Sequence, residues 1–109
     1  MIDWERAKQL LSEIGPDDFA EVVAMFLEES DEVIARLTTR RGAQALESDL
    51  HFLKGSALNL GFERLAALCQ EGEQRAAAGS TDIDLDAVRG SYSVSRQVFE
   101  AEFARTFAG

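Results

Sequence analysis

Cysteine, proline, histidine and cationic side chains are all scarce in this 109-residue chain, and each scarcity excludes something. Cys69 is the only cysteine, so no intrachain disulfide can form and no oxidising compartment is implied. One cysteine and one histidine cannot assemble the common structural zinc sites. Pro16 is the only proline, which leaves long helices almost uninterrupted. Lysine and arginine number 11 against 20 acidic residues, a formal net charge of -9. That balance argues against nucleic acid and anionic membrane surfaces as partners, because both need clustered cations. It suits solubility and a partner with basic features. The opening Met1-Ile2-Asp3-Trp4-Glu5 lacks the basic start and apolar core of a signal peptide, and no apolar run reaches the length of a membrane span. A cytoplasmic protein is the default expectation. No glycine-rich phosphate loop is present, so the chain carries no ATP site of that kind.

What is present reads as one domain over residues 1–109, large enough to bury a single core. Apolar spacing predicts five helical segments. The first runs from about Asp3 to Glu13, with Asp3 as N-cap and Trp4, Ala7, Leu10, Leu11 and Ile14 on one face. Gly15-Pro16 stops it and starts the next. The second runs from Pro16 to Thr39, with Phe19, Val22, Val23, Phe26, Ser30, Val33, Ile34 and Leu37 inward. After a turn at Arg40-Arg41-Gly42, the third spans Ala43 to Leu60, with Leu46, Leu50, Leu53, Ala57 and Leu60 as its core stripe. The fourth spans Phe62 to Ala78, turning Phe62, Leu65, Leu68, Cys69, Gly72 and Ala76 inward. The fifth, capped by Asp82 or Asp84, runs to about Thr106 and buries Leu85, Val88, Tyr92, Ser95, Phe99 and Phe103. Strand alternation is absent. The expected fold is all-α: an antiparallel four-helix bundle with a short additional N-terminal helix over one end. Cys69 falls on an apolar face as a small buried hydrophobe.

The only histidine, His51, breaks this pattern. At about 100° per residue it projects roughly 140° from the core stripe of its helix, onto a solvent-facing side with Glu47, Lys54 and Leu58. Gly55 points almost straight out. Glycine in an exposed helix costs about 1 kcal/mol relative to alanine. Its use one turn from His51 removes bulk beside the imidazole and lets another protein's surface approach. Lys54 supplies a cation suited to neutralising an anion on the ring. Ser56 lies on the flank. Imidazoles titrate near about pH 6.5, so a neutral ring is an available nucleophile at neutrality. Its second nitrogen must be held in the right tautomer. Together these features suggest phosphoryl transfer. Phe52, Leu58 and Asn59 lie to the sides of the ring, where exposed apolar atoms suit a transient interface.

The run His51-Phe52-Leu53-Lys54-Gly55-Ser56-Ala57 resembles the core of the histidine phosphotransfer (HPt) domain family. The likeness continues through Leu60-Gly61 and Leu65 to Cys69 and Glu73, and upstream through Phe19 and Phe26-Leu27-Glu28-Glu29, covering nearly the whole chain. The resemblance implies that His51 is the phosphoacceptor, that Lys54 stabilises the phosphate and that Gly55 gives clearance for a docking receiver domain. Glu73, twenty-two residues after His51, matches the position of an acceptor for the inner ring nitrogen. By helical reading it sits at the edge of the inward face. Gly72 departs from the family, where a larger apolar residue is common.

The implied partners are a response-regulator receiver domain and a donor, either a kinase ATP-binding domain or a hybrid-kinase receiver. The domain would bind no cofactor itself. Mg2+ would belong to the receiver and ATP to the kinase. A monomer is expected. Two settings fit: a free-standing phosphorelay module, or the N-terminal P1 domain of a CheA-type chemotaxis kinase, whose glutamate and starting position this chain shares. The parent chain is then a kinase only in the second setting. A hydrolase using His51 as base needs a nucleophile, and Ser56 projects roughly 140° away from it. A helical adaptor without phosphotransfer leaves Lys54 and Gly55 unexplained.

Overall fold

The computed structural model describes residues 2–106, with side chains through residue 103. Met1 and residues 107–109 of the expected domain lie outside the described residues. Five helices follow in order: α1 (Trp4–Ile14), α2 (Pro16–Arg36), α3 (Ala43–Leu60), α4 (Glu63–Ala77) and α5 (Leu85–Thr106). A 3-10 turn, Thr39–Arg41, links α2 to α3. Among the described residues there is no strand, only one isolated bridge between Ile2 and Phe62. The helices form an all-α bundle 45 Å long and about half as wide, 22 by 21 Å.

Local chemistry sets the helix ends. The Asp3 side chain accepts from the Arg6 amide at 3.2 Å and caps α1. Gly15 turns at φ 85° and Pro16 opens α2. Asp84 caps α5 through the Ala87 amide at 3.0 Å. Gly61 ends α3 in the left-handed region, φ 80°. A Cβ on Gly61 would lie 2.2 Å from the Asp3 carbonyl oxygen, so the position needs glycine for space as well as for φ. The Asp3 amide donates to the Gly61 carbonyl at 2.6 Å. The start of α1 is thereby stapled to the α3–α4 turn.

One boundary differs from the sequence expectation. The second helix stops at Arg36, not Thr39. Leu37 leaves the helix in an extended conformation, which drops its side chain into the core. Thr38 then caps the 3-10 turn by accepting from the Arg40 amide. Buried Asp49 of α3 holds the junction, with Oδ1 at 3.2 Å from Arg36 and Oδ2 at 2.8 Å from Arg41. Arg89 of α5 donates to the freed Leu37 carbonyl. These contacts override the helix period here: Leu37 is buried and its carbonyl is met by Arg89 in place of one more helical turn.

The core is built from the expected stripes with one rotation. On α2, Leu27 is buried and was absent from the expected set, while Val22, Phe26 and Ile34 are only half-buried. On α1, Ala7 and Leu10 are buried and Trp4, Leu11 and Ile14 half-buried. Leu68 and Phe103 are likewise half-buried. Rings cluster at the α1 end, where Phe99 stacks on Trp4 at 5.4 Å and meets Phe62 edge-on at 5.5 Å. The Tyr92 hydroxyl lies 3.1 Å from the Leu27 carbonyl oxygen and against Asp31, which Arg96 also pairs, tying α5 to α2. Cys69 is fully enclosed, and burial, aided by Glu73, pushes its thiol up to about 12.

At Gly72, α4 packs closely on Leu50 of α3. A Cβ there would meet Leu50 Cδ1 at 2.9 Å and Ile83 Cγ2 at 3.2 Å. Leu50 is wholly buried, so both side chains would have to shift to make room. Gly72→Val should therefore destabilise the protein by about 1–3 kcal/mol through overpacking. Around Gly55 nothing lies within 4 Å. Gly55→Ala should stabilise by up to about 1 kcal/mol. Opposite shifts of the urea midpoint at unchanged m value would check both.

Candidate functional site

His51 occupies the middle of α3 and stands on the surface, its side chain 69% exposed. The antiparallel return of α4 brings Glu73 beneath it. Nδ1 of His51 lies 2.9 Å from Glu73 Oε2. An ionised carboxylate can only accept, so Nδ1 carries the proton in this bond. In the neutral ring Nε2 is then the bare nitrogen, and it is the nitrogen not engaged by Glu73.

The second carboxylate oxygen is also engaged. Lys54 Nζ lies 2.7 Å from Glu73 Oε1 and donates to Gln70 Oε1 at 3.0 Å. Lys54 and Glu73 are 21% and 20% exposed, so this pair is largely withdrawn from solvent while His51 is not. The Lys54 ammonium holds the Glu73 carboxyl below the usual glutamate range; partial burial opposes this and the His51 contact adds to it. Lys54, expected to face an anion on the ring, is thus turned toward α4. Gln70 did not figure in the sequence reading. Its only signal was its place three residues before Glu73, on the same side of α4.

The remaining residues fall in different surroundings. Gly55 is exposed and open, one turn from His51. Leu58 is 54% exposed. Phe52 is half-buried and packs against the core. Asn59 is half-buried and fully occupied: it donates to the Gly55 carbonyl at 3.1 Å and accepts from Arg6 at 2.8 Å. Ser56 is buried and faces the core, so it offers His51 no hydroxyl. Among the described residues, no group of three or more His, Cys, Asp or Glu side chains could hold a metal ion. No helix among them is long and apolar enough to cross a membrane.

An all-helical bundle that presents one exposed imidazole, backed by a buried-side carboxylate, defines a class of histidine-bearing helical modules. A family model described as "Hpt domain" matches residues 21–106, most of the chain, and the chain belongs to that family. The family implies histidine phosphotransfer in two-component signalling, with kinase and response-regulator receiver partners. Neither the curated proteins nor the solved structures compared with the chain gave a match.

The Glu73 shift has a testable sign. A carboxyl lowered in the folded state adds stability that is present above the ordinary glutamate range and lost as pH falls through the lowered value. In a carbon-detected NMR titration, Glu73 should titrate below the other glutamates. In Lys54→Met it should move back up toward them, and stability below the ordinary range should fall less steeply.

Proposed function

We propose that His51 is the phosphoacceptor of this Hpt domain, with Glu73 and Lys54 as its supporting pair and Gly55 as its clearance. The observation that carries this is the 2.9 Å contact between His51 Nδ1 and Glu73, on a ring whose side chain is 69% exposed. It fixes the proton on one nitrogen and leaves the other lone pair for an incoming phosphorus. In the forward step that lone pair forms the N–P bond. The bond from phosphorus to the donor's leaving oxygen breaks, and the donor departs as ADP or as a free carboxylate. The ring, still protonated at Nδ1, gains positive charge, and the Glu73 carboxylate faces it. In the onward step a receiver aspartate attacks the phosphorus, the N–P bond breaks, and Nε2 recovers its lone pair.

Lys54 supports the step in two ways. It holds Glu73 in place under the ring through their ion pair, and it supplies a nearby cation to a phosphoryl group of charge about -2. Phe52, Leu58 and Asn59 border the ring within the docking face, Asn59 chiefly by holding the Gly55 turn. Mg2+ is assigned to the receiver and ATP to the kinase, each as the partner's own group. The module works as a monomer in the cytoplasm, free-standing or as the P1 domain of a CheA-type kinase. Both settings use the same imidazole chemistry.

Incubation with kinases or phospho-receivers should give an acid-labile, base-stable phosphate on the wild-type chain and none on His51→Gln. Label retained by that variant refutes the assignment. Gly55→Gln should keep the fold, because nothing lies within 4 Å of the position, yet slow transfer by about tenfold or more. An unchanged transfer rate there removes the clearance role.

A further inference from the structure

Beside His51 the surface is not symmetric. On the α2 side, Phe52 borders a groove of about 240 Å³ whose rim mixes Glu29, Glu32 and Arg36. On the α4 side, a wider groove of about 460 Å³ runs from Lys54 past Leu58 to Asp3 and Glu63. Its floor is small and apolar, formed by Ala66 and Ala67 beneath the exposed Leu58. Leu58 is seven residues beyond His51, two helical turns along the same exposed stripe, with Lys54 turned toward α4 and Gly55 without a side chain between them. A partner that lies flat enough to reach Nε2 and is guided by the gap at Gly55 runs directly onto this groove.

Charge decides what fits. The Lys54 ammonium is already matched by Glu73 and Gln70. Arg6, near by on α1, is drawn to Asn59, Gln9 and Glu13. The Asp3 carboxylate is taken up in capping α1, which leaves Glu63 as the one carboxylate of the groove lining with neither a capping bond nor an ion pair among the described residues. We infer that the α3–α4 groove is a second contact of the docking face. Its occupant is a receiver segment that seats one apolar side chain over Ala66 and Ala67 and turns an adjacent lysine or arginine toward Glu63. This rests on the phosphotransfer reading above and adds to it the residues that choose among receivers. An apolar centre with a charged rim gives steering and selectivity more than raw affinity.

The test uses a receiver domain that takes phosphate from the wild-type chain, with KM and kcat for the receiver read separately at low salt. Glu63→Lys reverses the rim charge, and Ala67→Phe fills the floor from an exposed helical position. Asp86→Lys makes the same charge change at the opposite end of the bundle, where Asp86 is 96% exposed. Glu63→Lys should raise KM about tenfold with kcat near wild type, and the difference should shrink as salt is added. Ala67→Phe should raise KM at every salt concentration. Asp86→Lys should do neither. If Glu63→Lys behaves as Asp86→Lys does, or Ala67→Phe leaves KM at the wild-type value, the groove is not the contact. A wild-type chain that transfers to no receiver, with His51 unlabelled, overturns the phosphocarrier reading and this one with it. Transfer by the wild type with indifferent groove variants overturns this inference alone.

Discussion

The close approach of α4 to α3 at Gly72 and Leu50 governs the site. Those two residues each precede a member of the His51–Glu73 pair, so the contact in the core and the contact at the surface share one register. A side chain at Gly72 would press on the Leu50 and Ile83 side chains, which would have to shift. The 2.9 Å surface hydrogen bond lies one residue along each helix from this core contact. Interior packing thus helps position an exposed imidazole, and Gly72, the departure from the family, is a point of tight fit.

From that register follows an economical use of charge. One carboxylate orients the imidazole with one oxygen and holds an ammonium with the other. The ammonium lowers the carboxyl further below its ordinary range, and the carboxylate, which can only accept, keeps the proton on Nδ1. Lys54 therefore acts on the ring through Glu73 in this state. The imidazole is far more exposed than the two side chains behind it. Lys54 and Glu73 sit in the cleft between helices, where an ion pair is less screened than on open surface, and the ring stands clear of it.

The rest of the fold keeps α3 and α4 from sliding. Gly61 receives the Asp3 amide at one end, and Asp49 grips Arg36 and Arg41 at the other. Tyr92 and Arg96 fasten α5 across to α2 through Asp31. These polar ties sit at helix ends and seams, where backbone groups would otherwise lack partners. The bundle interior is mostly apolar, with only a few buried polar side chains such as Ser30, Ser56 and Ser95, and the His51 face of α3 stays exposed.

Much of this was legible in the chain. Apolar spacing located five helices, and α3 has the expected limits because glycines bracket it on both sides. The helical angle alone put His51 outside, while Ser56, expected on the flank, is buried. The end of α2 was not legible, since the pull of Leu37 into the core and the Asp49 clamp are contacts between segments far apart in sequence. The stripe of α2 was off by one flank: the buried Phe19, Val23, Leu27, Ser30 and Val33 keep the three-four spacing, and the neighbouring helices decide which of two adjacent flanks turns inward. Composition, periodicity and the His51-to-Ala57 run determined the helical class and singled out the histidine, because these depend on local geometry and residue chemistry. Only the tertiary structure decided that Lys54 points to Glu73, that Gln70 joins it and that Asn59 is tied to α1. Those pairings depend on how helices meet, and one chain's helical wheel carries no record of its neighbour.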